Sequence, residues 1–244
     1  MKNIVCLLLM GVGLWAFRLA AADPVETKVY VISITGAEVH EKPSCQSKVL
    51  RKIPIGAAVN AQQTIASKEV KQVGAGFALQ GDWIKVTAPA YTGYVFSSDV
   101  TKHKPKIESR DGLTFVDLLG TKKSARTENE KVAAANKNSA PEYAVHETTE
   151  YASGTYTMTT HDGCFDHVYS FRRLTLPEVY HHMISSYSGY SSFNPKKLMQ
   201  PKLISRKGNV YTFTCGFGDS DAAQDLKLTV KDNGVITISS NDCT

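Results

Sequence analysis

Short stretches of alternating apolar and polar residues, separated by glycine and proline, constrain the fold of this chain more than any other feature. Between residues 28 and 104 these stretches are about four to eight residues long, and none repeats with the helical period. Short strands with turns at this spacing are typical of a small all-β barrel. We therefore expect an all-β domain over residues 28–104.

Six segments of this region also have the order and spacing of a known module. The segments are AEV at 37–39, KPS at 42–44, SKVL at 47–50, PIG at 54–56, GDWIKV at 81–86 and TGYVFSSDV at 92–100. Together they resemble the bacterial SH3-like domain of exported and cell-wall proteins. The resemblance implies an SH3-like barrel that binds peptidoglycan or a peptide at the cell envelope.

Residues 151–244 predict a second, small α+β domain. Its one main helix is expected after Thr175, which has Glu178 at capping-box spacing, and the apolar face of this helix starts at Tyr180. Three strand-like stretches follow, and the sequence DNG at 232–234 predicts a tight hairpin between the last two. This order of elements indicates an antiparallel sheet with the helix across one face.

Residues 105–150 differ in composition from both neighbours. Most of the segment is polar and contains few large apolar side chains, so it buries too little surface to offset the entropy lost on ordering. We expect a polar linker here, with a short helix near residues 128–136.

The first 22 residues predict a signal peptide. Lys2 gives a positive start, residues 4–17 are almost wholly apolar, and the alanines at 20–22 offer a cleavage site. The apolar run is shorter than the roughly 20 residues of a transmembrane helix. We therefore expect an exported, periplasmic or extracellular protein without a membrane span in its mature chain.

The charge of the chain is nearly balanced. It has 28 basic and 23 acidic residues and a formal net charge of +5, and neither sign is in large excess in residues 23–105, 106–150 or 151–244. Nucleic-acid binding proteins concentrate positive charge on one face, so we expect no nucleic-acid partner.

The heptapeptide HDGCFDH at 161–167 carries the densest chemistry in the sequence, and a disulfide is its favoured interpretation. Four cysteines follow the signal peptide, and an even number in an exported chain favours bridges over free thiols. We expect Cys164 to pair with either Cys215 or Cys243, and Cys45 to pair with whichever cysteine remains.

Two other interpretations of the heptapeptide are weaker. His161, Cys164 and His167 have zinc-competent side chains, but no second ligand cluster completes a site, so no metal or other cofactor is expected. Cys164 as the nucleophile of a hydrolase needs a base nearby, and no histidine follows His182 on the later strands.

Candidate ligand-binding residues occur in both halves of the chain. Lys196 and Lys197 begin a basic run that predicts either a solvated loop or a contact with an anionic polymer. Aromatic rings that can stack on a sugar or a peptide cluster near the end of the expected barrel: Trp83, Tyr91, Tyr94 and Phe96.

The function expected from these features is non-catalytic binding at the cell envelope, to peptidoglycan or to a peptide. One alternative is a cell-wall hydrolase with Cys164 as its nucleophile. Another is a structural or inhibitory partner of a second envelope protein.

Overall fold

The computed structural model describes residues 27–74, 76–110, 112–132, 142–190, 198–214 and 224–243. Within these ranges the chain is mostly β, with a single α-helix, α1 (Leu176–Tyr187). This content agrees with the expected combination of β and α+β structure. None of the described segments forms a helix with the length and apolar content that crossing a bilayer requires.

The N-terminal half contains short strands up to Thr101, as the alternation predicted, and two more strands in the segment that was expected to be a linker. Their bounds are β1 (Thr27–Val31), β2 (Ala37–His40), β3 (Val49–Ile53), β4 (Ala58–Ile65), β5 (Val70–Gly74), β6 (Phe77–Gln80), β7 (Trp83–Ala88), β8 (Tyr91–Phe96), β9 (Val100–Thr101), β10 (Lys106–Arg110) and β11 (Leu113–Asp117).

Seven of these strands form one antiparallel sheet, here called the N-terminal sheet, in the order β3-β2-β8-β7-β4-β1-β9. Its inward face is lined by small β-branched residues, among them Val31, Val39, Val86 and Val95, each with no exposed surface. The expected closed barrel is not formed, because β3 and β9 stand at opposite edges of the sheet. Since β9 is only two residues long, it offers little backbone for closure.

The C-terminal half supplies a larger antiparallel sheet, here called the C-terminal sheet. Its strands and the remaining short ones are β12 (Lys122–Val132), β13 (Glu142–Tyr151), β14 (Gly154–His161), β15 (Cys164–Phe171), β16 (Gly189–Tyr190), β17 (Leu198–Met199), β18 (Leu203–Lys207), β19 (Val210–Phe213), β20 (Gln224–Val230) and β21 (Ile236–Cys243). The order is β12-β13-β14-β15-β21-β20-β19-β18. Three two-stranded ladders, β5-β6, β10-β11 and β16-β17, complete the described pairings.

The segment expected to be a polar linker contributes two long strands to this sheet. Residues 122–132 are β12 instead of a linker with a short helix near residues 128–136, of which 133–136 lie outside the described residues, and β13 pairs with β12 in antiparallel register. The physical reason is that an edge strand needs partners for its backbone and not a buried face. Charged side chains are the common device for protecting such an edge, and almost every residue of β12 is exposed.

Two local predictions in the C-terminal half are confirmed. The capping box is present at the start of α1. The Thr175 side chain accepts from the backbone N–H of Glu178, and the Glu178 carboxylate accepts from the backbone N–H of Thr175. The DNG turn joins β20 to β21, and Gly234 there adopts a φ of 79°, a conformation that glycine adopts without strain.

One apolar cluster joins the two halves. Phe77 of the N-terminal half stacks on Tyr180 of α1 with ring centroids 4.5 Å apart. The same ring meets Tyr211 and Phe213 edge to face. Ile32 and Leu79 belong to this cluster together with buried residues of α1 and of the C-terminal sheet. The helix therefore packs its apolar face against the C-terminal sheet and against residues of the N-terminal half that lie outside the N-terminal sheet.

Candidate functional site

A cavity of about 660 Å³ lies where the N-terminal end of α1 meets the N-terminal sheet. We call it the helix-end cavity. Its walls come from β7, from the segment 97–103, and from the start of α1, and they combine polar groups with the apolar side chains of Val29, Ile84 and Val100. Ligand pockets usually combine apolar surface with a few placed polar groups, and the helix-end cavity contains both.

Glu178 is the buried carboxylate of this cavity, with 7% of its surface exposed. The backbone N–H and the hydroxyl of Thr175 both donate to its Oε2 at 2.8 Å. The hydroxyl of Thr101 donates to Oε1, and the N–H of His103 in turn donates to the Thr101 oxygen at 3.0 Å. These bonds fix the carboxylate and tie the last strand of the N-terminal sheet to the helix.

The opposite wall is closed tightly around Gly81. The N–H of Ser67 donates to Oδ1 of Asp82 at 3.0 Å, and the N–H of Asp82 donates to Oγ of Ser97 at 2.9 Å. A Cβ on Gly81 would lie 2.7 Å from Ser97 Oγ and 2.9 Å from the ring of Phe96. Glycine is therefore the residue that allows these chain segments to approach.

Basic side chains stand at the rim of the helix-end cavity. Lys102, His103 and Arg173 line it and are exposed. The Nε2 atom of His103 lies 4.0 Å from Oε1 of Glu178. Because Glu178 is already bonded inside the protein, the charges of Lys102 and Arg173 remain available to a negative group on a ligand.

The aromatic residues singled out from the sequence lie elsewhere. Trp83 and Phe96 are each 1% exposed and meet edge to face, so neither ring offers a face to a ligand. Trp83 also donates from Nε1 to Oε2 of Glu69 at 2.9 Å, which satisfies the polar atom of its buried ring. Tyr91 and Tyr94 are half-buried, with the guanidinium of Arg51 4.4 Å from the Tyr91 ring centroid. Lys196 and Lys197 lie outside the described residues.

The heptapeptide HDGCFDH forms a tight hairpin closed by a bridge. Asp162 and Gly163 have φ values of 49° and 74° and make the turn between β14 and β15. Cys164 is disulfide-bonded to Cys243, its direct partner in the β15-β21 ladder, which is one of the two pairings expected. Cys215 lies outside the described residues. Cys45 has a free thiol, contrary to the expected second bridge, and its pKa is raised by burial and by Glu69.

The two histidines of the heptapeptide contact neighbouring strands. His161 has Nε2 3.6 Å from a carboxylate oxygen of Glu142. His167 accepts or donates a hydrogen bond through Nδ1 to the hydroxyl of Tyr156 at 2.8 Å, and its Nε2 lies 3.5 Å from Asp242. The described residues hold no group of three or more side chains arranged to bind a metal ion.

A second, smaller cavity of about 270 Å³ lies on the other side of α1 and includes His182 in its lining. The N–H of Leu118 donates to Nδ1 of His182 at 3.3 Å, so a neutral imidazole carries its proton on Nε2. Burial lowers the pKa of His182 to about 4, although Asp117 and Glu108 oppose the change. Burial likewise lowers the pKa of the adjacent His181 to about 3.

Sequence reasoning missed the groups that shape the helix-end cavity. The spacing of Thr175 and Glu178 identified a helix start, but a capping box gives no sign that the carboxylate also reaches Thr101. Lys102 and Arg173 look like ordinary surface residues in the sequence. No local pattern places them on one rim, because they come from the two halves of the chain.

Comparisons with known proteins give no relative for this architecture. No family model matches the chain, and neither a curated protein nor a solved structure matches it.

Proposed function

We propose that this protein is an exported, non-catalytic binding protein of the cell envelope, and that its ligand is a peptide, free or as part of peptidoglycan. The observation that carries the proposal is the helix-end cavity, which combines polar groups with apolar side chains in its walls and has basic side chains at its rim. A peptide with a free carboxylate matches both features, since its apolar side chains suit the walls and its charge suits Lys102 and Arg173.

Three further features support this proposal. The N-terminal half carries the segments that resemble an SH3-like domain of exported and cell-wall proteins. The bridge between Cys164 and Cys243 is of the kind that persists in oxidising compartments. The same bridge engages the sulfur that a cysteine hydrolase would need as a thiolate, which favours binding over hydrolysis.

Retention on purified cell wall tests the proposal. We expect the purified protein to sediment with the wall material, and Lys102→Gln to weaken retention several-fold because a charge at the rim is lost. Lys104→Gln is the matched control, since Lys104 is exposed and does not line the cavity. Absence of retention for the unmodified protein, or equal loss in both variants, would contradict the proposal.

A further inference from the structure

A cleft of about 250 Å³ lies on the solvent side of the C-terminal sheet, around the turn between β13 and β14. We call it the basic cleft. Lys123, Arg172 and Arg173 line it, with Glu150 as the one carboxylate among its lining residues. The cleft therefore carries a formal charge of +2. Only Arg173 is shared with the helix-end cavity.

Among the residues that the structure describes, its three cations have no carboxylate partner. Lys123, Arg172 and Arg173 are exposed, and none of them makes an ion pair or a side-chain hydrogen bond with another residue that the structure describes. Some surface cations elsewhere do have such a partner, as Lys106 has Glu108 at 2.7 Å. Like charges held together without a counter-ion create a positive potential that attracts an anion.

The position of Lys123 comes from an irregularity in the edge strand. The register of β12 against β13 shifts between Lys122 and Ser124, so Lys123 is the extra residue of a β-bulge. Bulges redirect a side chain away from the alternation of the strand and are frequent beside functional sites. In a regular strand the alternation alone would set the direction of this side chain.

The floor of the basic cleft is held by the backbone. The N–H groups of Ala152 and Ser153 donate across the turn to the carbonyls of Thr121 and Leu119, each at 3.0 Å. The N–H of Arg172 donates to the carbonyl of Ser153 at 3.3 Å. A Cβ on Gly154 would lie 2.1 Å from the Ser170 carbonyl, so the strands here approach as closely as glycine permits.

Hydroxyl groups complete the set of donors. Thr155 and Ser170 are direct partners in the β14-β15 ladder, so both side chains lie on the same face, and Ser153 lines the cleft beside them. Two guanidinium groups, an ammonium and several hydroxyls on a fixed floor match the oxygens of a tetrahedral anion better than a single carboxylate.

We propose that the basic cleft is a binding site for a phosphate group. The site shares only Arg173 with the peptide site proposed above, and the proposal does not depend on that site. Lys123 and Arg172 bind the anion from two sides, Arg173 adds a third charge, and the hydroxyl groups of the floor donate to the remaining oxygens.

Titration of the purified protein with inorganic phosphate and with glycerol 3-phosphate at low ionic strength tests this site. We expect saturable binding that weakens as sodium chloride is added. We expect Lys123→Gln and Arg172→Gln each to weaken it about tenfold, as loss of a charge-assisted bond predicts. Tighter binding of glycerol 3-phosphate identifies an esterified phosphate as the natural ligand, and tighter binding of inorganic phosphate identifies the free anion.

Lys122→Gln is the matched control, because it removes the same charge from the adjacent position of β12 and Lys122 is not in the cleft. This control is expected to keep its affinity within about twofold. Equal weakening in Lys122→Gln and Lys123→Gln, or no saturable binding by the unmodified protein, overturns the proposal. Retention on cell wall by Lys123→Gln, measured alongside, separates this outcome from failure of the peptide site.

Discussion

At the scale of single residues, His181 and His182 are the groups whose chemistry the fold changes most. Both lie on α1 and are buried, with 3% of each residue exposed. Burial lowers their pKa values from 6.5 to about 3 and about 4. In the unfolded chain both imidazoles take up protons near pH 6.5, whereas in the folded protein they stay neutral until the medium is far more acidic. Stability therefore falls as the pH drops through this window.

The acid sensitivity is testable with His182→Asn. Asparagine can still accept from the Leu118 N–H but does not titrate. Between pH 6.5 and about 4 we expect the free energy of unfolding to fall with pH, by up to about 1.4 kcal/mol per pH unit for each histidine. In His182→Asn this slope should be smaller, as measured by urea unfolding at several pH values.

Lys104→Gln is the control for this experiment, because Lys104 is exposed and its replacement leaves both buried histidines in place. Its unfolding should keep the pH dependence of the unmodified protein. Equal slopes in the unmodified protein and in His182→Asn would show that His182 is not responsible.

At the scale of elements, the bridge between Cys164 and Cys243 fastens β15 to β21 at the end of the sheet. It joins residues 79 positions apart in the chain. Restricting the unfolded chain over a loop of this length stabilises the fold by about 4 kcal/mol in the chain-entropy model. Since the two residues are direct partners in the ladder, the bridge also holds the register of the pair.

Removal of the bridge in the variant Cys164→Ser/Cys243→Ser should lower the free energy of unfolding by about 2–4 kcal/mol. Chemical denaturation with and without a reductant measures this, because the reductant should destabilise the unmodified protein and leave the variant unchanged. Cys45→Ser is the control, since it removes a thiol that is not in a bridge. A reductant effect of the same size in the double variant would disprove the assignment.

Elements with a local signature were predictable from the sequence, and those held by distant partners were not. The capping box at Thr175 and the DNG hairpin depend on neighbours within a few residues, so their patterns survive in the sequence. Strand β12 has no such pattern, because it is held by backbone hydrogen bonds to β13 and places no requirement on its own side chains. The helix-end cavity was missed for the same reason, since Thr101 and Glu178 are distant in sequence.

At the scale of the whole molecule, the two halves share a core and are expected to unfold together. Phe77 contributes to this because its ring contacts Tyr180, Tyr211 and Phe213. Since Trp15 lies in the expected signal peptide, Trp83 is the only tryptophan left to report on the N-terminal sheet. Far-ultraviolet circular dichroism at the helix band reports on α1.

We predict that both probes follow a single transition, and that Phe77→Ala shifts both midpoints together. The expected loss is about 3–5 kcal/mol, the usual effect of removing a buried phenylalanine ring. Leu50→Ala is the matched control, because Leu50 is 41% exposed and should change stability little. Two separated transitions, or a shift seen only by Trp83, would contradict a common core.

The shared core also governs how the chain acquires its structure as it emerges from the ribosome. The N-terminal half is synthesised first and carries Phe77 and Leu79. The residues of α1 and of the C-terminal sheet that pack against these two side chains are synthesised about a hundred residues or more later. Until then these side chains are exposed to solvent and available to any chaperone that recognises apolar segments. The chain can therefore complete its shared apolar core only after the C-terminal half has been synthesised.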